Sequence, residues 1–340
     1  MHFLSLRARL SPTTLGRWLS RMDWRGWAVA EGGIFRMLSF ITLKGVGVSM
    51  KTPETGFPAT VVISFVQMML GLLWFFARAQ LRTHRKKPRG HERLIPDRRS
   101  IAAAIGFAFF ATVMTVNGVV TFSLGADLSI RTLLTACSIV PGTFLGCFLF
   151  KDPFSARQGL GIGIFLLAAW SMVDFPDIEG ILALPLWVPL MLISTVASAF
   201  NEVLARKMGV KLDAPVSNFL IGGASIVFSF VGLAGWVLLA GKVTLALDGT
   251  LLWGSTAVGF ITVGLIASKL LSLKGDEVAI GLKQLLMWGS LLMSVTFAGA
   301  LIYGEPVTVG KIVGIVLFPI AYALTDNKAW GIVRNRLKSF

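Results

Sequence analysis

The sequence contains ten apolar runs, most of them close to the roughly 20 residues that a helix needs to cross the hydrocarbon core of a bilayer. A soluble domain carries about 25% charged residues. This 340-residue chain carries 14%, too few to coat a soluble globule. The runs therefore predict an all-α integral membrane protein with ten transmembrane helices, and they exclude a soluble enzyme or a disordered chain. They cover residues 27–50, 57–79, 101–122, 128–150, 157–173, 184–204, 217–240, 250–271, 279–303 and 307–325.

Basic residues are concentrated in alternate loops between the runs. If the N-terminus is cytoplasmic, the two tails and the loops after the second and sixth runs hold most of the loop Lys and Arg. The loops of the opposite face have only Lys51 and Lys242. Because cytoplasmic loops are enriched in Lys and Arg, both termini are predicted to be cytoplasmic, in a bacterial inner membrane or a Golgi or ER membrane. This placement also explains the net charge of +15 without a nucleic-acid partner.

Two segments repeat the same turn at a constant offset of 153 residues. Each segment ends a long apolar run, turns through an acid–Pro pair and begins a last, glycine-containing run. Agreement at five positions favours duplication over the chance likeness of two helical hairpins. The matching pairs are Gly146/Gly299, Asp152/Glu305, Pro153/Pro306, Ser155/Thr308 and Gly161/Gly314.

Each half then has five helices, so the second half enters the membrane from the opposite side. Inverted repeats place a solute site between the halves, near the membrane midplane, and permit alternating access. The predicted division is a basic tail over 1–26, one five-helix repeat over 27–173, a second over 184–325, and a basic tail over 326–340. The turn residues Asp152, Pro153, Glu305 and Pro306 are expected to be structural, each acid capping the helix that follows it, where the helix dipole favours a negative charge.

The paired acid–Pro turns resemble the ends of the repeated units in the drug/metabolite transporter superfamily of EamA-like ten-helix carriers. The resemblance covers residues from about 34 to 325 and implies two inverted bundles around a central cavity. It also implies a gating role for Glu202; an exposed ion pair with Arg206 is the alternative. Residues that resemble the nucleotide-sugar and triose-phosphate branch are Phe57-Pro58, Gln67, Asn117, Ile130-Arg131-Thr132, Asn201–Gly209, Ser217-Asn218-Phe219 and Ala279–Lys283.

Several ionisable residues lie inside the apolar runs, where a charge costs a few kcal/mol or more unless it faces a cavity or a partner. We expect Lys44, Arg131 and Lys283 to converge on one electropositive cavity and to bind an anionic group of the solute. Gln284 stands 153 residues after Arg131 and belongs to the same predicted site. Snorkelling of these cations to the membrane surface is the alternative. Asn117 and Asn218 are predicted either to contact the solute or to form hydrogen bonds between helices.

The predicted function is secondary active transport of a small organic solute. The basic cavity favours an anion such as a nucleotide sugar or a sugar phosphate, moved by exchange. An exporter of amino acids, metabolites or drugs is the alternative within the same class, and a non-transporting membrane scaffold is the alternative of another class. The sequence has no Walker-type motif, and its three His lie in tails or loops, so we expect no enzyme activity, cofactor or metal site. The expected partners are the solute and the lipid bilayer, with the chain a monomer or a homodimer.

Overall fold

The computed structural model describes residues 22–49, 53–83, 97–126, 128–172, 186–209, 212–241, 248–273, 278–303, 306–327 and 329–331. Every regular element in these ranges is helical, and the ranges contain no β-strand. The prediction of an all-α protein is therefore confirmed.

The helices are labelled α1 to α10 in chain order. α1 has a π-helical turn between two α-helical parts, and α4 is broken into two parts. A 3-10 turn, Pro53–Thr55, precedes α2. The helices are α1 (Trp24–Ala30, Glu31–Arg36 and Met37–Ser49), α2 (Gly56–Thr83), α3 (Arg98–Ser123), α4 (Leu128–Ala136 and Ile139–Phe150), α5 (Ala156–Ser171), α6 (Trp187–Gly209), α7 (Ala214–Ala240), α8 (Gly249–Ser272), α9 (Ile280–Tyr303) and α10 (Val309–Thr325).

Seven helices are long and apolar enough to cross a membrane: α2, α3, α4, α6, α7, α8 and α9. α5 and α10 are shorter, with 16 and 17 residues. Large apolar side chains cover the outside of the bundle; Leu238 and Leu301, for example, are each 85% exposed. Apolar surface on this scale needs a non-aqueous environment. The chain is therefore a multi-pass membrane protein.

The π-helical turn of α1 packs against α9. A Cβ atom on Gly32 would collide with the carbonyl oxygen of Met287, and one on Gly33 would lie 3.1 Å from the hydroxyl of Ser294. Small residues let two membrane helices approach closely. The two glycines therefore bring the backbone of α1 against α9 at the place where α1 changes its hydrogen-bonding pattern.

α5 and α10 pack against each other reciprocally. A Cβ atom on Gly161 of α5 would lie 2.9 Å from the carbonyl oxygen of Ala321. A Cβ atom on Gly314 of α10 would lie 2.7 Å from the carbonyl oxygen of Ala168. Gly314 and Ala321 stand 153 residues after Gly161 and Ala168, so each contact is the counterpart of the other.

α2 and α7 form a second reciprocal pair. A Cβ atom on Gly71 would lie 2.7 Å from the backbone nitrogen of Phe219, and one on Gly222 would lie 2.7 Å from that of Met68. The offset between the equivalent positions is 151 residues here, two fewer than for α5 and α10.

Candidate functional site

Five charged side chains form a buried network near one end of the helix bundle, which we call the network end. Each of them is at most 4% exposed. A charged residue inside a membrane bundle is expensive and commonly marks a functional site. The five residues are Glu31 and Arg36 of α1, Glu202 of α6, Lys269 of α8 and Lys283 of α9.

The π-helical turn of α1 brings Glu31 and Arg36 together. The i→i+5 bonding of a π-helix places residues five apart nearly above one another, whereas in an α-helix they point in different directions. Arg36 donates from Nη2 and Nε to Glu31 Oε1 over 2.8 and 3.2 Å. Its guanidinium also lies 5.1 Å from the ring centre of Trp288 on α9. The helical irregularity therefore creates this ion pair and directs it towards α9.

Glu202 is the carboxylate that joins the network across the bundle. Lys269 Nζ donates to its Oε1 over 2.5 Å, and Lys283 Nζ donates to its Oε2 over 2.6 Å. Arg36 Nη2 is 3.4 Å from Oε1. Glu202 has no exposed surface. The expectation of an exposed ion pair with Arg206 is therefore wrong, because both side chains are withdrawn from the surface.

Lys283 bridges the two carboxylates of the network. Its Nζ lies 2.6 Å from Glu31 Oε2 and 2.6 Å from Glu202 Oε2. Lys269 completes the arrangement by donating to Asn201 Oδ1 over 3.1 Å. Three cations face two carboxylates, so the network carries one positive charge in excess. Breaking a buried ion pair by removal of one partner costs about 3–5 kcal/mol. The ion pairs therefore hold α1, α6, α8 and α9 together at the network end, and separating these helices requires another charged group to replace one member of a pair.

A second polar contact at the network end involves Asp152, in the turn after α4. Arg206 of α6 donates to Asp152 Oδ1 over 2.6 Å, and the backbone N–H of Ile280 donates to Asp152 Oδ2 over 3.0 Å. Asp152 thus caps the N-terminus of α9 and connects three segments of the chain. The expectation that it caps the next helix is wrong, because Ser155 caps α5.

The two acid–Pro turns end in equivalent helix caps. The Ser155 side chain accepts from the backbone N–H of Gln158 at the start of α5, and Thr308 accepts from that of Lys311 at the start of α10. Pro153 and Pro306 are exposed in these turns. Glu305 lies outside the described residues.

Arg131 is buried apart from the network. Its guanidinium carbon lies 4.3 Å from the ring centres of both Phe40 and Phe122. Only 4% of the residue is exposed, and its Nε and Nη1 have no hydrogen-bond partner among the described residues. A Cβ atom on Gly118 would lie 2.7 Å from Nη2, so the glycine makes room for the guanidinium. Arg131 is thus a buried donor group held between two aromatic rings.

The three predicted cations belong to different helices: Lys44 to α1, Arg131 to α4 and Lys283 to α9. Lys283 belongs to the network, whereas Arg131 stacks on Phe40, one turn of α1 beyond Arg36. Lys44 is half-buried, one further turn along. At a rise of about 1.5 Å per residue, Phe40 and Lys44 lie roughly 6 and 12 Å beyond Arg36. The expectation that the three cations converge on one cavity is therefore wrong, because Lys283 lies between carboxylates and Arg131 lies between phenylalanines.

The predicted amide residues have different surroundings. Asn117 donates to the carbonyl oxygen of Leu190 and to Ser194 Oγ, both over 3.2 Å, so it links α3 to α6. Asn218 Oδ1 accepts from Gln67 Nε2 over 3.0 Å. Both contacts are hydrogen bonds between helices.

Gln284 lies between α9 and α4, where a Cβ atom on Gly142 would collide with its amide. The amide is fully buried, and neither of its polar atoms has a hydrogen-bond partner within the described ranges.

Sequence reasoning identified Glu202 and Lys283 but left Glu31, Arg36 and Lys269 outside the predicted site. All three could have been found, since each is an ionisable residue in or at the end of an apolar run. The pairing of these residues could not have been predicted, because it depends on a π-helical turn that the residue pattern does not indicate.

A small cavity of about 40 Å³ lies between α2, α3, α7 and α8. One wall is Phe107, whose ring centre is 5.5 Å from Lys269 Nζ, so the cavity adjoins the network. Its lining contains no charged side chain among the described residues. One water needs about 10–15 Å³ of such space. The cavity therefore has room for a few waters.

Comparison with known proteins shows the fold alone. No family model matches the chain, and no curated protein matches it. Chains of solved structures do match. One of them, described as "Crystal structure of protein", is 13% identical and superposes with a TM-score of 0.59 over 87% of this chain and 95% of its own.

Proposed function

We propose that the chain is a secondary active transporter that moves a small organic solute by alternating access, as carriers of the drug/metabolite transporter superfamily do. The observation that carries the proposal is the buried network. It connects α1 of the first half to α6, α8 and α9 of the second half at one end of the bundle. A purely structural bundle has no need of five buried charges.

The reciprocal packing of helices supports an inverted repeat. In an isologous contact, residue i of one unit touches residue j of the other and j touches i. The α5–α10 contacts at Gly161 and Gly314 have this form, and so do the α2–α7 contacts at Gly71 and Gly222. We infer ten membrane-spanning helices in two inverted five-helix units, with both termini in the cytoplasm.

The network is suited to be the gate at its end of the bundle. Opening that end requires α1 to separate from α6 and α9, which breaks the contacts of Lys283 with Glu31 and Glu202. An anionic group of the solute can replace a carboxylate in these contacts, so that opening is coupled to binding. Glu202 is the central gate residue because it contacts all three cations.

Two features favour an anionic solute. The network has one positive charge more than its carboxylates neutralise. Arg131 and Gln284 add buried donors without protein partners among the described residues, and a guanidinium fork matches the oxygens of a phosphate or a carboxylate. A nucleotide sugar or a sugar phosphate, moved by exchange, satisfies these requirements.

The uncharged lining of the cavity between α2, α3, α7 and α8 favours a second candidate, an exporter of amino acids or other metabolites. Such a solute would place a neutral polar part in the cavity and only a small charged group on the network.

A counterflow assay in proteoliposomes tests the proposal. Vesicles with purified protein are loaded with nucleotide sugars, phosphate esters or amino acids, and uptake of the labelled solute is measured. Lys283→Gln should reduce uptake at least tenfold, whereas Lys207→Gln, a change of an exposed lysine on α6, should not. Absence of counterflow for every solute class would refute a transport function.

A further inference from the structure

Most of the hydroxyl groups that line the cavity between α2, α3, α7 and α8 share one hydrogen-bonding arrangement. Five of the six hydroxyl groups in the lining donate their hydrogen to a backbone carbonyl oxygen, four of them to the residue four positions earlier in the same helix; the sixth hydroxyl is that of Ser64. The bonds are Thr60 to Gly56 (2.7 Å), Thr112 to Ala108 (2.8 Å), Thr115 to Ala111 (2.9 Å), Thr262 to Val258 (2.7 Å) and, between helices, Ser225 to Ala108 (3.3 Å).

These bonds leave the cavity wall with acceptors. A hydroxyl has one hydrogen and two lone pairs, so once the hydrogen is donated to the backbone only the lone pairs face the cavity. Gln67, another lining residue, uses Nε2 to donate to Asn218. The wall therefore offers more oxygen acceptors than donors, and the acceptors come from α2, α3, α7 and α8.

An acceptor wall selects ligands by their hydrogen-bond donors. An anionic group is disfavoured there because its oxygens would face mostly hydroxyl lone pairs. A cationic group is disfavoured by the excess positive charge of the network, which begins behind Phe107. Neutral donors, such as hydroxyl or amide N–H groups, are disfavoured neither by the hydroxyl lone pairs nor by the positive charge of the network.

The cavity lies next to the charge network, which determines how a bound solute would be oriented. Phe107 separates the cavity from Lys269, and the backbone carbonyl of Phe107 accepts from Asn201 of the adjoining helix α6 over 3.3 Å. A solute with its charged end on the network would therefore extend its other end towards the cavity.

We propose that the cavity between α2, α3, α7 and α8 binds the neutral hydroxyl or amide donors of an organic anion whose charged end faces the network. The proposal rests on the proposed transport function, and it names the solute class as anions that carry neutral hydrogen-bond donors. Thr112 and Thr115 are then specificity-determining residues.

Two matched pairs of anions test the proposal by direct binding to the purified protein. Gluconate differs from hexanoate, and glycerol 3-phosphate from propyl phosphate, in the hydroxyl groups. Binding of each labelled anion is measured by equilibrium dialysis for the wild type, Thr112→Val and Thr115→Val. Thr296→Val is the control, because its hydroxyl also donates to a backbone carbonyl, that of Leu292 over 2.9 Å, and is buried away from the cavity.

We expect the hydroxylated anion of at least one pair to bind more tightly than its partner. Thr112→Val and Thr115→Val should each weaken the binding of the hydroxylated anion about three- to tenfold. Neither variant should change the affinity for the hydroxyl-free anion. Both should melt at the same temperature as the Thr296→Val control. Equal loss for both members of a pair, no loss in either variant, or no saturable binding of any of the four anions would overturn the proposal. Intact, threonine-dependent binding without counterflow would instead refute only the transport function.

Discussion

Gln67 of α2 and Asn218 of α7 are joined by a hydrogen bond of 3.0 Å and stand 151 residues apart in the chain. Gly71 and Gly222 stand at the same offset, and each packs against the helix of the other. When two equivalent helices are related by a two-fold axis, equivalent residues meet only on that axis. In the inverted repeat that we propose, the Gln67–Asn218 bond would lie on the two-fold axis that relates α2 to α7.

Gly222→Ala should destabilise the protein because the added Cβ would lie 2.7 Å from backbone atoms of Met68 and Ser64. Overpacking of this kind costs about 1–3 kcal/mol. Gly235→Ala is the control on the same helix, since a Cβ there meets nothing within 4 Å. Thermal unfolding in detergent should show a lower midpoint for Gly222→Ala only. Equal midpoints for both variants would contradict the close approach of α2 and α7.

Glu202→Gln should lower stability strongly, because it leaves three buried cations with the single carboxylate of Glu31. The expected loss is about 3–5 kcal/mol. The double variant Glu202→Gln/Lys283→Met should recover part of it, because removal of a cation restores the balance of charge. The measurement is a double-mutant cycle of melting temperatures. Additive losses would show that Glu202 and Lys283 do not interact.

The sequence predicted the helices more completely than the site. Apolar runs and acid–Pro turns identify helix positions directly, because hydropathy and helix caps are local properties. Serine and threonine 153 residues apart indeed cap α5 and α10. Asp152 shows the limit of local reasoning. It was expected to cap its own next helix, and it caps α9, 128 residues away in the chain.

The charge network shows a second limit. Each of its members is visible in the sequence as a charge near or within an apolar run. Their pairing depends on the π-helical turn of α1 and on the depth at which α6, α8 and α9 pack. Arg131 and Lys283 appeared equivalent as intramembrane cations, yet one lies between phenylalanines and the other between carboxylates.

Asp152→Asn should lower the melting temperature more than it lowers solute affinity. The change removes the charge that faces Arg206 and weakens the cap of α9 at Ile280. We expect a loss of about 1–3 kcal/mol, the range for hydrogen bonds with a charged partner. Melting curves and solute binding should be measured on the same preparations. A variant with normal stability and weakened binding would place Asp152 in the solute site instead.

Cysteine labelling tests the proposed topology. Gly90→Cys and Ile178→Cys place single reporters in two loops, in a background where Cys137 and Cys147 are replaced by serine or alanine. With both termini cytoplasmic and five helices in the first half, residue 90 is cytoplasmic and residue 178 is on the other face. An impermeant maleimide added to intact cells or sealed vesicles should label one of them only. Labelling of both from the same side would refute the arrangement.

Arg131→Met should abolish transport of an anionic solute without loss of stability. The guanidinium has no carboxylate partner among the described residues, so its removal leaves no opposite charge unpaired there, and methionine refills much of the space between Phe40 and Phe122. The lost charge-assisted hydrogen bonds should weaken anion binding about 10- to 150-fold, which corresponds to about 1.5–3 kcal/mol.

Arg36→Met is the contrasting variant. It deprives Glu31 of its nearest guanidinium and should lower the melting temperature clearly, because a buried carboxylate then loses a partner. Binding and melting of the two variants should be compared directly. If Arg131→Met melts as early as Arg36→Met while anion binding is preserved, Arg131 is a structural residue and takes no part in solute recognition.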